Sequence, residues 1–347
     1  MPDMRQSSNP DTPHLAGLEC GAPTADYGDV DAEAHACRSG CALFDFSFLA
    51  IAELRGAGAR ETILAFTGRD FSRLPPGRIG YALRADDEGY LRSDLTVWNM
   101  GGDRWLVMSG THRDVEALGQ TRRAGLVLRD LSLETAVLAV QGPDALASLA
   151  GVADTAPIVR IPYFGHTRAR VAGHPCLVGR LGYTGEKGFE LLFPSEHYAA
   201  IRTKLAERAR PAGFAAADRL RIEAGFVLFT NEFRVPVTAR EVGMERFAPA
   251  PTSAPRATLV CFRAETDAPP VLWQPGPDVA LPGEPGTITV TSAAPSAIAG
   301  GTLGLGYVLP GDARADASVI DPRGEFHAIR LVSLPYYDPA KARPRGP

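Results

Sequence analysis

The residues of this sequence that could do chemistry are carboxylates and tyrosines on predicted strands. Asp94 lies in an alternating run, 90–98, which places it on one strand face with Tyr90, Thr96 and Trp98. A carboxylate held beside an amine can orient the amine, accept its proton and stabilise developing positive charge. The pattern alone is equally that of an ordinary solvent-facing strand carboxylate, so it does not assign this role to Asp94.

Three further residues have suitable side chains for holding a planar ligand. Glu190 begins another predicted strand, and an ionised carboxylate can accept hydrogen bonds from two adjacent N–H groups. Tyr81 and Tyr183 each combine a flat apolar ring with a hydroxyl group. From the pattern alone, Glu190 is an edge-strand charge and the tyrosines are core residues.

Standard catalytic and metal-binding motifs are absent. The sequence contains no P-loop, GxGxxG, HExxH, GxSxG or EF-hand pattern, so nucleotide hydrolases, Rossmann dehydrogenases, zincins and α/β-hydrolases have no support. The seven histidines form no i,i+4 pair, and the five cysteines form no CxxC pair. We therefore predict no metal site and reduced thiols.

Composition is typical of a globular protein. The chain has 347 residues, 45% apolar and 22% charged, with a net charge of −4, so nothing favours nucleic acid or an anionic membrane as partner. Residues 285–311 carry no charge, but their prolines and glycines argue against a membrane span. The first fifteen residues lack an apolar signal region, and we expect a cytoplasmic protein.

Helices and strands alternate irregularly along the first 250 residues. After an N-terminal arm over 1–30, the signals predict a helix over 31–38 capped by Asp31, a strand over 49–54 and a hairpin of 81–84 with 90–98. Three antiparallel strands follow at 169–171, 176–181 and 189–193, then helices over 196–210 and 215–225. Proline-rich sequence from 249 to 285 precedes short, glycine-punctuated strands, so we place a domain boundary near 250.

Five segments together resemble the glycine cleavage T-protein (aminomethyltransferase) superfamily. Their order and spacing match that family from about residue 17 to the C-terminus, and the third segment is the most specific. The segments are LFDFS (43–47), VQGP (140–143), GYTGEKGFE (182–190), LRIEAG (220–225) and LPYYDP (334–339).

The resemblance implies an α+β fold, a clover-leaf of three lobes around a central folate site. Residues 1–250 would form two interleaved α+β lobes, the folate-binding aminomethyltransferase-like region. Residues 251–347 would form a small C-terminal β-barrel domain.

The same resemblance implies roles for the candidate residues. Asp94 matches the family's essential aspartate beside the reactive nitrogens of tetrahydrofolate, and Glu190 matches the glutamate that binds the pteridine. Tyr81 and Tyr183 would pack on the rings of the cofactor. Glu186, in the turn before Glu190, is expected to be structural or solvent-facing.

The chain also departs from the family pattern. T-proteins usually have an acidic residue at Ser93, an asparagine at Gly110 and an arginine at Ala217. Arg219 or Arg221 could replace the missing guanidinium, although a shift of two residues on a helix turns a side chain by about 200°.

Three basic residues near the C-terminus could also contact the cofactor. Lys341, Arg343 and Arg345 either meet the glutamate carboxylates of folate or form a frayed basic end.

The function predicted is tetrahydrofolate-dependent one-carbon transfer from a small methylated or aminomethylated donor to folate. Asp94 is the catalytic candidate, and Tyr81, Tyr183, Glu190 and Arg219 are the cofactor-binding candidates. An N-methyl or S/O-methyl compound is as good a donor as an aminomethylated lipoyl carrier protein, because the substitutions at 93, 110 and 217 lie where T-proteins look alike. The same enzyme class includes demethylases.

Two other interpretations remain at this point. One is a non-catalytic folate-binding protein that assists iron–sulfur enzyme assembly, although the KGCYxGQE signature of that branch is absent. The other is a degenerate relative that binds a different flat, anionic ligand.

Overall fold

The computed structural model describes residues 23–248, 254–266 and 279–346. Within these ranges the elements are, in chain order, α1 (Val30–Ser39), β1 (Ala42–Asp45), β2 (Ala50–Arg55), α2 (Ala59–Thr67), β3 (Ile79–Ala85), β4 (Leu91–Gly101), β5 (Arg104–Ser109), α3 (His112–Gln120), β6 (Val127–Asp130), β7 (Thr135–Gln141), α4 (Ala145–Leu149), α5 (Thr155–Ile158), β8 (His166–Val171), β9 (His174–Gly179), β10 (Gly188–Pro194), α6 (Tyr198–Ala206), β11 (Arg210–Ala212), α7 (Phe214–Glu223), α8 (Phe229–Glu232), β12 (Thr258–Ala264), β13 (Thr289–Ser296), β14 (Gly301–Val308), β15 (Ser318–Val319) and β16 (Ile329–Val332).

The described residues form two compact units. The first contains the residues up to Ala82, Asp94–Ala217 and the residues from Ala342 onward. The second contains Leu83–Ser93 and Asp218–Lys341. Helices and sheets occur together, as the α+β prediction requires.

The first unit contains a six-stranded sheet with the order β11-β1-β7-β10-β9-β8. β8, β9 and β10 pair antiparallel in this order, which confirms the prediction of three antiparallel strands, and β7 pairs with the other side of β10. One face of β10 supplies Phe189, Leu191 and Phe193 to a hydrophobic core. Alternation along the strand therefore places Gly188, Glu190 and Leu192 on the other face.

A five-stranded sheet has the order β3-β4-β5-β2-β6. Leu95 and Val97 of β4 are buried in its core with residues of α2 and α3. Asp94 and Thr96 are half-buried and lie on the opposite face of β4. The predicted hairpin and the predicted alternation of β4 are both confirmed.

The sheet of the second unit has the order β13-β14-β12-β16-β15 and is not a closed barrel, while the α+β class with a C-terminal β-domain is as predicted. Thr287 and Ile320, next to its edge strands, form a parallel bridge. β12 was not predicted, since the proline-rich composition around it conceals its seven residues.

Several predicted boundaries are corrected as well. Asp29, not Asp31, caps α1, and its side chain accepts a hydrogen bond from the Ala32 amide. The helix predicted over 196–210 is confined to α6 with a short 3-10 turn before it. The N-terminal arm up to residue 22 lies outside the described residues. None of the helices that the structure describes is long and apolar enough to cross a membrane.

Candidate functional site

Tyr81 and Asp94 form a hydrogen-bonded pair on neighbouring strands. The Tyr81 hydroxyl donates to Oδ2 of Asp94 at 3.0 Å. Burial, and then the charge of Asp94 and its hydrogen bond, hold the pKa of the Tyr81 phenol well above its usual value. Tyr81 therefore remains a proton donor to the carboxylate at neutral pH.

Tyr183 lies close to this pair. Electrostatic interaction with its phenol is the smallest of the causes that raise the pKa of Tyr81, so the two side chains lie in the same region. Tyr183 belongs to the turn 182–187, called the anchor turn below, which connects the end of β9 to β10. The turn thus brings a second half-buried aromatic ring to the Tyr81–Asp94 pair.

Gln141 at the end of β7 holds the anchor turn. Its Nε2 donates to the Leu181 carbonyl at 3.2 Å, and its Oε1 accepts from the Thr184 hydroxyl at 3.0 Å. A Cβ atom on either Gly182 or Gly188 would collide with the Gln141 amide. The glycines of one sequence motif therefore exist to admit the glutamine of another, a role that sequence reasoning missed.

Glu190 is buried on β10, with 7% of its surface exposed. Its cross-strand partners are Ala139 of β7 and Gly179 of β9, which place no charge beside it. Burial raises the pKa of the Glu190 carboxyl from 4.5 to about 7. Burial is the cause of this shift, because the ionised form loses hydration without a compensating charge beside it.

Trp98 connects the strand of Asp94 to the strands around Glu190. Its indole occupies the space where a Cβ atom on Gly179 would lie, and its Nε1 donates to the Thr96 hydroxyl at 2.9 Å. Since Asp94, Thr96 and Trp98 share one face of β4, this face is directed at the sheet that carries Glu190. The structure therefore brings Tyr81, Asp94, Tyr183 and Glu190 into one region of the first unit.

Glu186 is a structural residue of this region. It is 2% exposed, and its Oε1 lies 3.0 Å from Nη1 of Arg38, which also donates to the Thr184 carbonyl at 2.8 Å. Glu186 is therefore buried and ion-paired, as expected for a structural residue, and does not face solvent. Arg38 was not singled out from the sequence, because no local pattern links it to a turn about 150 residues away.

Arg219 and Arg221 lie in the second unit and differ in their contacts. Arg221 is fully buried and donates to Asp218 at 2.8 Å, Glu232 at 2.8 Å and the Ser292 hydroxyl at 2.6 Å. These bonds commit its guanidinium to an internal network. Arg219 is 7% exposed. Because the guanidinium of Arg221 is committed to the internal network, Arg219 remains the candidate for ligand binding.

Ser93 does not line the face that carries Asp94. Its side chain is fully buried on the core face of β4, between Leu91 and Leu95. An acidic side chain at this position would therefore point away from Asp94 along the strand, and its absence here removes charge from the core face. The described residues contain no group of three or more His, Cys, Asp or Glu side chains able to hold a metal ion.

Two protein-family models match most of the chain. The family model for the GCVT N-terminal domain matches residues 23–250, and the model for the glycine cleavage T-protein C-terminal barrel domain matches residues 258–338. The chain belongs to the glycine cleavage T-protein family.

Similar proteins carry consistent names. An aminomethyltransferase of Herpetosiphon aurantiacus is 31% identical over 331 residues, covering 90% of this chain and 91% of that protein. A probable aminomethyltransferase of Halobacterium salinarum is 31% identical, covering 90% and 92%. The crystal structure of the glycine cleavage system aminomethyltransferase T from Bartonella henselae has a TM-score of 0.74 at 22% identity, covering 89% and 90%, and shows the same fold.

These findings support a folate-dependent transferase. Aminomethyltransferases of this family use tetrahydrofolate as the acceptor, so tetrahydrofolate is the cofactor. The alternative of a non-catalytic folate-binding protein for iron–sulfur enzymes is not favoured.

Proposed function

We propose that this protein transfers a one-carbon unit from an aminomethylated or methylated donor to tetrahydrofolate, with Asp94 as its catalytic residue. Tyr81, Tyr183 and Glu190 would bind the cofactor, and Arg219 is a further candidate for cofactor binding. The observation that carries the proposal is the hydrogen-bonded Tyr81–Asp94 pair beside the turn that leads to the buried carboxyl of Glu190.

The residues present fit a reduced folate. Glu190 is a buried carboxyl without a neighbouring cation, and a pteridine edge would supply the two N–H donors that its ionised form requires. Tyr81 and Tyr183 supply flat rings of a kind that pack against aromatic heterocycles. Tetrahydrofolate would contribute the nucleophilic nitrogen that accepts the carbon.

Asp94 would do the proton chemistry. The hydrogen bond from Tyr81 fixes one oxygen of its carboxylate, which sets the orientation of the group. Held in this way, Asp94 would accept the proton that the folate amine loses as it bonds to the carbon, while the bond from that carbon to the donor breaks and its electron pair leaves with the donor. The negative charge of Asp94 would also stabilise positive charge developing on that carbon.

The donor we favour is an aminomethyl group, because the similar proteins described above are named aminomethyltransferases. A lipoyl carrier protein would present such a group. N-methyl and S- or O-methyl compounds are the alternative donors, and demethylation is then the reaction.

Replacing Asp94 by Asn tests the proposal, since it removes the charge with little change in shape. Turnover should fall by about 10²–10⁴-fold while folate affinity changes less than tenfold. Formation of methyl- or methylene-tetrahydrofolate is followed with an aminomethylated lipoyl carrier, sarcosine, dimethylglycine, dimethylsulfoniopropionate and methoxy-aromatics as donors.

A second tyrosine–aspartate pair in the first unit provides the control. The Tyr198 hydroxyl donates to Oδ2 of Asp45 at 2.5 Å, so Asp45→Asn makes the same chemical change outside the proposed site. Turnover of this variant should stay within about twofold of the parent. An Asp94→Asn variant as fast as the parent on a working donor would refute the catalytic assignment.

A further inference from the structure

The last described residues of the chain, 342–346, belong to the first unit, and we call them the C-terminal strap. Arg180, which follows β9, donates through Nη2 to the Gly346 carbonyl and through Nη1 to the Ile161 carbonyl at 3.1 Å. The charges of Arg345 and Arg180 both lower the pKa of Tyr163, which burial raises. The strap is therefore attached at more than one point and is not a frayed end.

The strap also contacts the anchor turn. Nη1 of Arg343 lies 3.8 Å from Oε2 of Glu186, whose other carboxylate oxygen is 3.0 Å from Nη1 of Arg38. Glu186 is thus held between a helix near the start of the described chain and the strap near its end. Arg180 precedes the same turn by two residues, so both attachments converge on 180–187.

We infer that the C-terminal strap is a positioning element of the folate site, in which Arg343 acts through Glu186 to hold the anchor turn in its binding arrangement. The inference rests on the proposed function, because the turn presents Tyr183 and leads into Glu190. Arg343 is a positioning residue and does not touch the cofactor.

The exposure of the two partners explains why the effect should appear in binding rather than in stability. The Arg343 side chain is 52% exposed, and an ion pair of this kind contributes little to the free energy of unfolding. Glu186 is 1% exposed at its side chain and lies within the turn itself. If the turn is in its binding arrangement for only a tenth of the time, the apparent dissociation constant rises about tenfold.

Two variants test the strap. Arg343→Gln should weaken tetrahydrofolate binding by about three- to fivefold, and a chain ending at Lys341 by about tenfold or more. At saturating cofactor, kcat should be unchanged in both. Arg343→Lys, which retains the charge, should recover most of the affinity.

The control is Arg129→Gln. Arg129 pairs with Glu134 in the same unit, and its side chain is 57% exposed, close to the value for Arg343. This variant should bind tetrahydrofolate as the parent does. Equal losses in Arg129→Gln and Arg343→Gln would overturn the inference, since they would indicate a general effect of surface charge.

Arg343 could instead bind the glutamate of folate directly. Measuring the affinity for tetrahydropteroate, which lacks the glutamate, distinguishes this direct contact from a positioning role. A positioning role predicts the same fold-loss for tetrahydropteroate as for tetrahydrofolate. A loss confined to tetrahydrofolate would overturn the inference in favour of direct contact.

Hydrogen exchange on the ligand-free protein separates this inference from the proposed function. The shortened chain should exchange faster at amides 183–187, with β7 amides 137–140 unchanged, whether or not the protein binds folate. Unchanged exchange at these amides in the shortened chain would refute the positioning role of the strap. Faster exchange in a protein that does not bind folate would refute the proposed function alone.

Discussion

Folate affinity should depend on pH through Glu190. Burial raises the pKa of this carboxyl to about 7, and the proposed contact with two pteridine donors requires the ionised form. Lowering the pH therefore converts the anchor to its neutral state before binding. The ionised fraction is about 0.9 at pH 8 and about 0.1 at pH 6, so the apparent dissociation constant should rise about tenfold over this interval.

The same pKa fixes the pH dependence of stability. The folded protein retains the Glu190 proton up to pH about 7, whereas the carboxyl in the unfolded chain releases it near 4.5. Between these values the folded state binds more protons, so the free energy of unfolding falls as pH rises. The loss from this one group amounts to about 3 kcal/mol by pH 8.

Glu190→Gln separates the two effects. The amide cannot ionise, so the variant should be as stable as the parent at pH 5 and more stable at pH 8, by up to about 3 kcal/mol. Folate binding should weaken by about 30- to 150-fold, since one acceptor oxygen becomes a donor facing another donor. A more stable protein with a weaker site is the combined signature.

Calorimetric titration of tetrahydrofolate at pH 6, 7 and 8 measures the first effect. Repeating the pH 7 titration in buffers of different ionisation enthalpy should show release of about half a proton per cofactor bound, and none for Glu190→Gln. Urea denaturation at pH 5 and 8 measures the second effect. An affinity that is flat from pH 6 to 8, or equally pH-dependent in both proteins, would refute the assignment of Glu190.

Other consequences concern packing and the two arginines of α7. Gly179→Ala would push a methyl group into the indole of Trp98, so thermal denaturation should show a loss of about 1–3 kcal/mol, and an unchanged melting temperature would contradict the packing described. Arg221→Ala leaves Asp218 and Glu232 as uncompensated buried charges, and chemical denaturation should show a loss of about 3–5 kcal/mol. Arg219→Ala should weaken folate binding while leaving stability within about 1 kcal/mol of the parent, and the reverse result would exchange the roles assigned to the two side chains.

Local sequence patterns were sufficient to predict the strands that carry Asp94 and Glu190. The alternation of β4 predicted correctly that Asp94 and Leu95 lie on opposite faces, because one face of this sheet is packed against α2 and α3. The antiparallel strands β8, β9 and β10 were predicted from short apolar segments separated by glycine-containing turns.

Tertiary contacts were beyond the reach of those patterns. The contacts of Gln141 and Arg38 with the anchor turn join residues about 40 and 150 positions apart, and no periodicity encodes such pairings. β12 was hidden by prolines around it, although the strand itself, from Thr258 to Ala264, contains none. The short strands predicted a small C-terminal β-barrel, but they did not determine how far the two edges of its sheet pair with each other.

The local rules of protein structure are broken together in one region, and this supports its assignment as the site. Strands normally avoid glycine and buried carboxylates normally have a cation or several donors, yet Gly179 and Gly188 stand beside Glu190. Each exception costs stability. The glycines have a reason within the protein, since they admit Trp98 and Gln141, whereas the buried carboxyl of Glu190 acquires one only if a ligand supplies donors. The buried network of Arg221 shows the contrast, since there the guanidinium donates to Asp218, Glu232 and Ser292 within the protein and no ligand is needed.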